Sequence, residues 1–333
     1  MLDERKAAIL RAVVEEYIET AQPVGSGHVA PAVNVSSATV RNELATLEQE
    51  GYLLQPHTSA GRVPTEKGYR YFVDSLAGPG TLGATQVQQV RSFFATAHGE
   101  LEQMLHDTSR LLSDLTDHTA VVVGPPHEAA TVRSVQLVGL GSGVALAVVV
   151  LSNGSIEKRT LDLTDEHVEE RLPAVTAHLS AHLVGRSVPS LNGYVAPATG
   201  DKRTDQLTTR VIAALTGTPD NEPEQVFVGG ASRMASAFDA VETVRQVLGI
   251  LEQQYVVVTV LRDVLDRGLQ VAIGTETGLE MLAECSLVVA PYMVDGEQAG
   301  SIGVLGPTRM NYPQALAAVA VVSKRLGRRL TEG

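Results

Sequence analysis

Between Asp3 and Thr20 the apolar residues Ile9, Leu10, Val13, Val14, Tyr17 and Ile18 recur with helical spacing, and Glu15, Glu16 and Glu19 fall between them. Such spacing gathers the apolar side chains into one stripe of an amphipathic helix. The helix is expected to end near Gln22-Pro23, because proline disfavours helical geometry in the residue before it. A second helix can start at Ser26, and Pro31 limits it to about two turns. In the third segment, Val35 to Gly51, Ser36 or Ser37 can cap a helix that Gly51 closes. Its Val40, Leu44 and Leu47 fall on one side, with Ala38, Asn42, Ala45 and Gln49 opposite and Thr39 and Arg41 on the flanks. Tyr52 to Gln55 and Val63 to Tyr69 are expected to be short strands around the loop Pro56 to Arg62, a stretch with no acidic residue. Three helices followed by a hairpin predict a winged helix-turn-helix.

The small, polar outer face of the third helix suits a major groove: Ala38 allows close approach, Asn42 can pair with adenine, and Arg41 can reach guanine or phosphate. An ordinary solvated helix could carry the same face, and the acid-free hairpin beside it favours the DNA reading. Side-chain chemistry assigns Arg41 and Asn42 to bases or flanking phosphates, and Arg62, Lys67 and Arg70 to phosphates. Tyr69 and Tyr71 are expected to pack beneath the wing.

Farther on, Ala77 to Gly83 has the composition of a linker, which would leave the DNA reader separate from the rest. A helical pattern from Gln86 to Asp117 is expected to break near Gly99 and Asp107. Val132 to Val138, Val144 to Leu151 and Ile156 to Leu163 read as an antiparallel meander. Its Gly139 to Gly143 cluster leads into a strand rather than a helix, which argues against a dinucleotide loop. A helix from about Asp165 to Leu183 carries His178 and His182 one turn apart, but with no third ligand they read as surface histidines. Further helices are expected at Arg203 to Leu215, Phe238 to Gln253 and Tyr312 to Leu330. Strands are expected at Gln225 to Gly229, Tyr255 to Leu261, Leu269 to Gly274, Ser286 to Pro291 and Ala299 to Gly306. Gly306 to Arg309 reads as a turn with Arg309 bridging elements rather than as an anion site, and Cys285 as a buried thiol rather than a redox sensor.

Composition narrows the function classes. At 333 residues the chain has room for two or three domains, and with no Trp, five Phe and eight Tyr its cores must be aliphatic. A net charge of −12 argues against a nonspecific nucleic-acid coat. The first 75 residues hold seven Lys or Arg against ten Asp or Glu, so a few placed residues must do any DNA binding. A single cysteine excludes an internal disulfide. No signal-like core or run of 18 apolar residues occurs, so a cytoplasmic protein without a membrane partner is expected. No nucleophile elbow, Walker loop, HExxH or paired-carboxylate motif stands out, so no enzyme, cofactor or metal is expected.

Three stretches, Ser36 to Asn42, Gln55 to Thr65 and Lys67 to Tyr71, closely resemble the N-terminal signature of the HrcA family of heat-inducible transcription repressors, and Gly303 to Tyr312 is similar to its C-terminal signature. The resemblance places Ser37, Ala38, Thr39, Arg41 and Asn42 on the recognition helix, and His57, Thr58, Ser59 and Arg62 in the wing. It implies double-stranded DNA carrying an inverted repeat upstream of chaperone operons as target, and a GroE-type chaperonin as a partner that maintains the active fold. A homodimer follows from the two-fold symmetry of such an operator. The implied fold is α+β and multidomain: a winged helix-turn-helix at 1–76, a linker at 77–85, and an antiparallel-sheet GAF-like domain at 86–190 and 266–333, interrupted by an inserted α/β dimerisation domain at 191–265. One departure is that Gly27 and His28 stand where family members commonly carry a basic residue. A small-molecule sensor is the second reading, with Leu146, Val148 and Val150 expected to line the GAF-like interior.

Overall fold

The computed structural model describes residues 2–57, 60–96, 100–125, 130–141, 143–152, 154, 156–162, 169–216, 225–238, 240–268 and 270–332. The chain begins with three helices, α1 (Glu4–Thr20), α2 (Ser26–Val33) and α3 (Ser37–Gln49). Asp3 caps α1 by accepting from the Lys6 amide at 2.9 Å, and Ala21 ends it in the left-handed region at φ 54°. Ile9, Leu10, Val13 and Val14 are fully buried, so the stripe seen in the sequence is the face packed inward.

Two short strands follow, β1 (Leu53–Leu54) and β2 (Val63–Pro64), paired antiparallel. The strand expected to run on to Tyr69 ends at Pro64, and Glu66–Asp74 is instead a helix, α4. Thr65 caps it by accepting from the Gly68 amide, and Tyr69 and Phe72, three residues apart, are its buried face. The local cap and three-residue spacing prevailed over the β-propensity of the tyrosines.

Two helices come next, α5 (Ala84–Thr96) and α6 (Leu101–Thr116). The break expected near Asp107 does not occur, because Leu105, Thr108, Leu111, Leu112 and Leu115 keep one buried face through it. β3 (Thr119–Val123) is buried throughout and central.

After β3 the chain leaves its sheet. It builds the meander β4 (Val132–Gly141), β5 (Val144–Leu151) and β6 (Ile156–Asp162), then α7 (Leu172–Leu183) and α8 (Lys202–Thr216). It returns with β7 (Val226–Gly229), which pairs with β3. The remainder is α9 (Met234–Ala237), α10 (Val241–Glu252), α11 (Gln254–Asp266), β8 (Val271–Ile273), β9 (Cys285–Val294), β10 (Glu297–Pro307) and α12 (Tyr312–Glu332). The five-stranded sheet has the order β7-β3-β10-β9-β8, every pair antiparallel. Residues alternate across it: Ala120 and Val122 of β3 face the core that includes α6 and α12, and Val121 and Val123 face the one that includes α10 and α11.

This topology moves the expected insertion. The segment that leaves the five-stranded sheet runs from about 130 to 216, not 191–265, because β7 hydrogen-bonds to β3 while β4, β5 and β6 pair only with one another. Leu172, Val175 and Leu179 of α7 and Val211 and Ile212 of α8 close a separate core over one face of the meander. Leu146, Val148 and Val150 therefore line no GAF-like interior. They lie, half-buried, on the other face of β5, since Ala145, Ala147, Val149 and Leu151 point inward.

The stretch Tyr255 to Leu261, expected as a strand, is part of helix α11, whose Val257, Val260, Leu261 and Val264 are buried at helical spacing. Packing on the sheet overrides the β-branched run. Cys285 is fully buried, and burial pushes its thiol up to about 12. Arg309 bridges elements as expected, donating to the Ala237 carbonyl at 3.1 Å. His178 meets the Pro197 carbonyl at 2.9 Å. Among the described residues no group of three or more potential ligands could hold a metal, and no helix is long and apolar enough to cross a membrane.

The linker does not free the N-terminal unit. Gly80 donates to the Pro313 carbonyl at 3.1 Å, and the Tyr69 ring lies 5.9 Å from that of Tyr312. Tyr69, Phe72 and the inner residues of α12 belong to one continuous core.

Candidate nucleic-acid interface

The α2–α3 turn is set by local chemistry. Asn34 adopts the left-handed conformation at φ 53°, which asparagine tolerates, and lets the chain reverse into Ser36. The Ser36 hydroxyl accepts from the Thr39 amide at 3.1 Å and lies 2.9 Å from the Thr39 hydroxyl. The Ser37 and Ser26 hydroxyls, 2.9 Å apart, tie the starts of α3 and α2 together. Val40, Leu44 and Leu47 are buried, while Ser37, Ala38, Arg41 and Asn42 are exposed. Thr39 is half-buried and engaged in the cap, so it orients the helix more than it offers a contact.

The hairpin is anchored to the same turn. Val24 and Arg62 exchange two backbone hydrogen bonds of 2.9 Å, adding a third strand-like segment beside β2. Gly61 makes this approach possible, since a Cβ there would sit 2.4 Å from the Val24 carbonyl carbon and oxygen. Gly61→Val is expected to destabilise the N-terminal unit by about 3 kcal/mol, read as faster amide exchange in α1–α4. Gln55 Nε2 donates to the Ala60 carbonyl at 3.0 Å across the base of the tip. His57 is exposed at the tip, and the predicted contacts Thr58 and Ser59 lie outside the described residues.

Electrostatically, α3 is less acidic than its sequence. Glu50 pairs with Lys6 at 2.8 Å, Glu48 with Arg62 at 2.8 Å and Glu43 with Arg5 at 3.7 Å. The hydrogen bond that Lys6 donates to the Glu50 carboxylate raises the Lys6 pKa. Arg41 has no acceptor among the described residues, so a single unneutralised cation stands on the exposed face of α3.

Three predicted phosphate ligands are engaged within the chain itself. Arg62 is mostly buried and paired with Glu48, which fastens the hairpin to α3. Lys67 donates to the Glu50 carbonyl at 2.8 Å and lies over the Tyr52 ring. Arg70 pairs with Glu276 and, at 3.3 Å, Asp74, and donates to the Val271 carbonyl at 2.7 Å. Glu66 joins this seam by accepting from the Thr275 amide and hydroxyl at 3.1 and 2.6 Å. Sequence reasoning missed the seam and the neutralising roles of Arg5 and Lys6, because each partner is distant along the chain and none carries a local motif. Tyr71 packs edge-on against Tyr52 as expected of a residue beneath the hairpin, whereas Tyr69 packs on Tyr312.

The model of the HrcA protein C terminal domain matches residues 102–316. A relative from Acidothermus cellulolyticus, named heat-inducible transcription repressor HrcA, is 39% identical and covers 100% of both chains. One of the same name from Symbiobacterium thermophilum is 37% identical over 98% of each chain. A third, from Nocardia farcinica, is 38% identical over 99% of this chain and 97% of its own. A crystal structure described as that of a hypothetical protein at 2.2 Å resolution shares the fold, with a TM-score of 0.67 and 22% identity over 100% of this chain and 99% of that one. A family model spanning most of the chain and relatives of this identity along its whole length lead to one conclusion: the chain belongs to the HrcA family, whose named members are heat-inducible transcription repressors.

Proposed function

We propose that this protein is a cytoplasmic, sequence-specific repressor that binds an inverted-repeat operator of chaperone genes as a homodimer. Residues 1–76 serve as a winged helix-turn-helix, with α3 in the major groove and the hairpin tip along the backbone. Arg41 and Asn42 read bases or their flanking phosphates, Ser37 and Ala38 permit close approach, and His57 with Thr58 and Ser59 forms the wing contact. The observation that carries the reading is the exposed Ser37-Ala38-Arg41-Asn42 face on a helix whose own carboxylates are each neutralised from behind. Bound dimer blocks polymerase, and heat releases the operator by depopulating the competent fold. The dependence of that fold on a GroE-type chaperonin rests on the family resemblance.

Fluorescence anisotropy with an inverted-repeat chaperone operator and a scrambled duplex at two salt concentrations tests this. Preferential binding that weakens as salt rises is the expected result. Equal binding to both duplexes, unchanged after chaperonin is added, would sink the reading.

The five-stranded sheet with its flanking helices is the GAF-like domain in this reading, and the 130–216 unit is the inserted dimerisation domain. Supporting this, the meander face not covered by α7 and α8 carries Val138, Leu140 and Ile156 exposed and Leu146, Val148 and Val150 half-buried, with Ser134, Gln136, Lys158 and Thr160 of the flanking strands between them. A second copy of the same face is its occupant in this reading, since a two-fold operator calls for a symmetric dimer and this is a surface that can pair with itself. Val148→Lys, at the centre of that face, is expected to convert the dimer to monomer by light scattering and to weaken operator binding at least about tenfold. An unchanged mass would move the dimer interface elsewhere.

A further inference from the structure

Helix α4 stands between the end of α3 and the five-stranded-sheet domain, and its faces divide the contacts. Glu66, Tyr69 and Arg70 share one face, as helix positions three and four apart do. They meet the sheet domain: Glu66 accepts from Thr275, Tyr69 packs on Tyr312, and Arg70 pairs with Glu276. Lys67, Gly68 and Tyr71 share another face and meet the end of α3. The Lys67 ammonium donates to the Glu50 carbonyl at 2.8 Å and lies 4.3 Å from the centre of the Tyr52 ring. The Tyr71 ring stands edge-on to the same ring at 5.7 Å. Gly68 lets the two segments close up, since a Cβ there would sit 2.3 Å from the Tyr52 carbonyl oxygen.

This joint is made largely with backbone groups. The Thr65 amide donates to the Tyr52 carbonyl at 3.1 Å, and its hydroxyl lies 2.7 and 3.1 Å from the Gly51 and Tyr52 carbonyls. The carbonyls of Glu50, Gly51 and Tyr52 are thus all met by the start of α4. Glu50 is the C-cap of α3, so Lys67 sets a positive charge where the helix dipole is negative. The Glu50 carboxylate is separately paired with Lys6 of α1.

We propose that Lys67 is a positioning residue: through it α4 fixes the orientation of α3 relative to the sheet domain, and Lys67 itself touches no DNA. The inference rests on α3 being the DNA-reading helix. The route is one helix of nine residues, with the sheet domain on one face and the end of α3 on the other. Hydrogen bonds to base edges weaken steeply when misaligned, whereas attraction to phosphates depends little on alignment. Loosening the joint therefore costs specificity more than nonspecific affinity.

Amide exchange of the full chain without DNA tests the joint by itself. Lys67→Met keeps an unbranched side chain and removes the ammonium. The Gly51 and Tyr52 amides, which donate to the Glu48 and Leu47 carbonyls, are expected to exchange about fivefold faster. The five-stranded sheet should exchange as in the parent, and Lys67→Arg should restore the parent rates. Unchanged rates at both amides would overturn the proposal. Affinities for operator and scrambled duplex across a salt series then separate positioning from contact. Lys67→Met should lower the preference for the operator about fivefold, with the slope of log affinity against log salt unchanged and Lys67→Arg again restoring the parent value. A slope lower by about one, with both duplexes weakened alike, would make Lys67 a phosphate ligand instead. Full preference in Lys67→Met would exclude a positioning role. Lys67→Met combined with Arg70→Ala should lose less operator affinity than the two separate losses combined, because the seam no longer reaches α3 once the joint is loose. Independent losses would overturn the route through α4. A parent that binds both duplexes alike sinks the repressor reading, and the exchange rates still decide whether Lys67 holds the end of α3.

Discussion

Replacing Arg41 and Asn42 together with alanine is expected to lower operator affinity by at least about a hundredfold, since each specific base contact is worth about 1–3 kcal/mol. Both side chains are exposed on α3, and Arg41 makes no ion pair among the described residues, so their removal subtracts little from the fold. The melting temperature should move by no more than the about 0.5 kcal/mol typical of surface substitutions, and the dimer should persist. Binding to a scrambled duplex should fall much less, because a phosphate-only contribution is shared by all sequences. Arg62→Ala is the informative contrast. Its guanidinium is paired with Glu48 and its Nε is buried without a partner, so it should lose operator affinity together with stability. If the Arg41–Asn42 double variant binds the operator as tightly as the parent, α3 is not the reading helix.

Breaking the Arg70–Glu276 pair is expected to cost about 2 kcal/mol, between the value for an exposed pair and that for a fully buried one. The two side chains are 23% and 32% exposed, and Glu276 also accepts from the Ile273 amide at 2.9 Å, so it keeps one partner when Arg70 is lost. A double-mutant cycle with Arg70→Ala and Glu276→Ala should give a coupling of about 1–2 kcal/mol. Amide exchange should rise in α4, in β8, whose Val271 carbonyl also accepts from Arg70, and in the turn after β8 that holds Glu276, while the meander with α7 and α8 remains protected. Losses that simply add would mean the pair does not hold the seam. If the proposed function holds, operator release should begin at a lower temperature in Arg70→Ala, because the N-terminal unit is oriented on the sheet domain by this contact, by Glu66 with Thr275 and by the Tyr69–Tyr312 packing.

Much of the candidate interface was legible because its determinants are local. The Ser36 cap, the Asn34 reversal, the buried Val40-Leu44-Leu47 stripe and the small exposed residues opposite all lie within about 15 residues. Helix caps and amphipathic periods act over four or five positions. The meander was legible for the same reason, since β-branched alternation and glycine turns specify neighbouring antiparallel strands. The intramolecular partners of the basic residues were not legible because type and proximity in sequence do not say what a long side chain meets. Arg62 and Lys67 are taken by groups on or next to α3, and Arg70 by a carboxylate 206 positions away.

By itself, then, the order of residues determined that this protein has a helix-turn-helix-like start with Arg41 and Asn42 outward, a β-meander, and a closing amphipathic helix. Each of these is a short-range balance of capping, periodicity and turn chemistry. Only the tertiary structure decided that Val256 to Val260 are helical, that β7 completes the sheet begun by β3, that the excursion spans about 130–216, and that the N-terminal unit is docked through Tyr69 and Arg70. Those outcomes depend on which surfaces meet across long stretches of chain. There the burial of apolar area and the pairing of charges outweigh local propensities of a few tenths of a kcal/mol per residue.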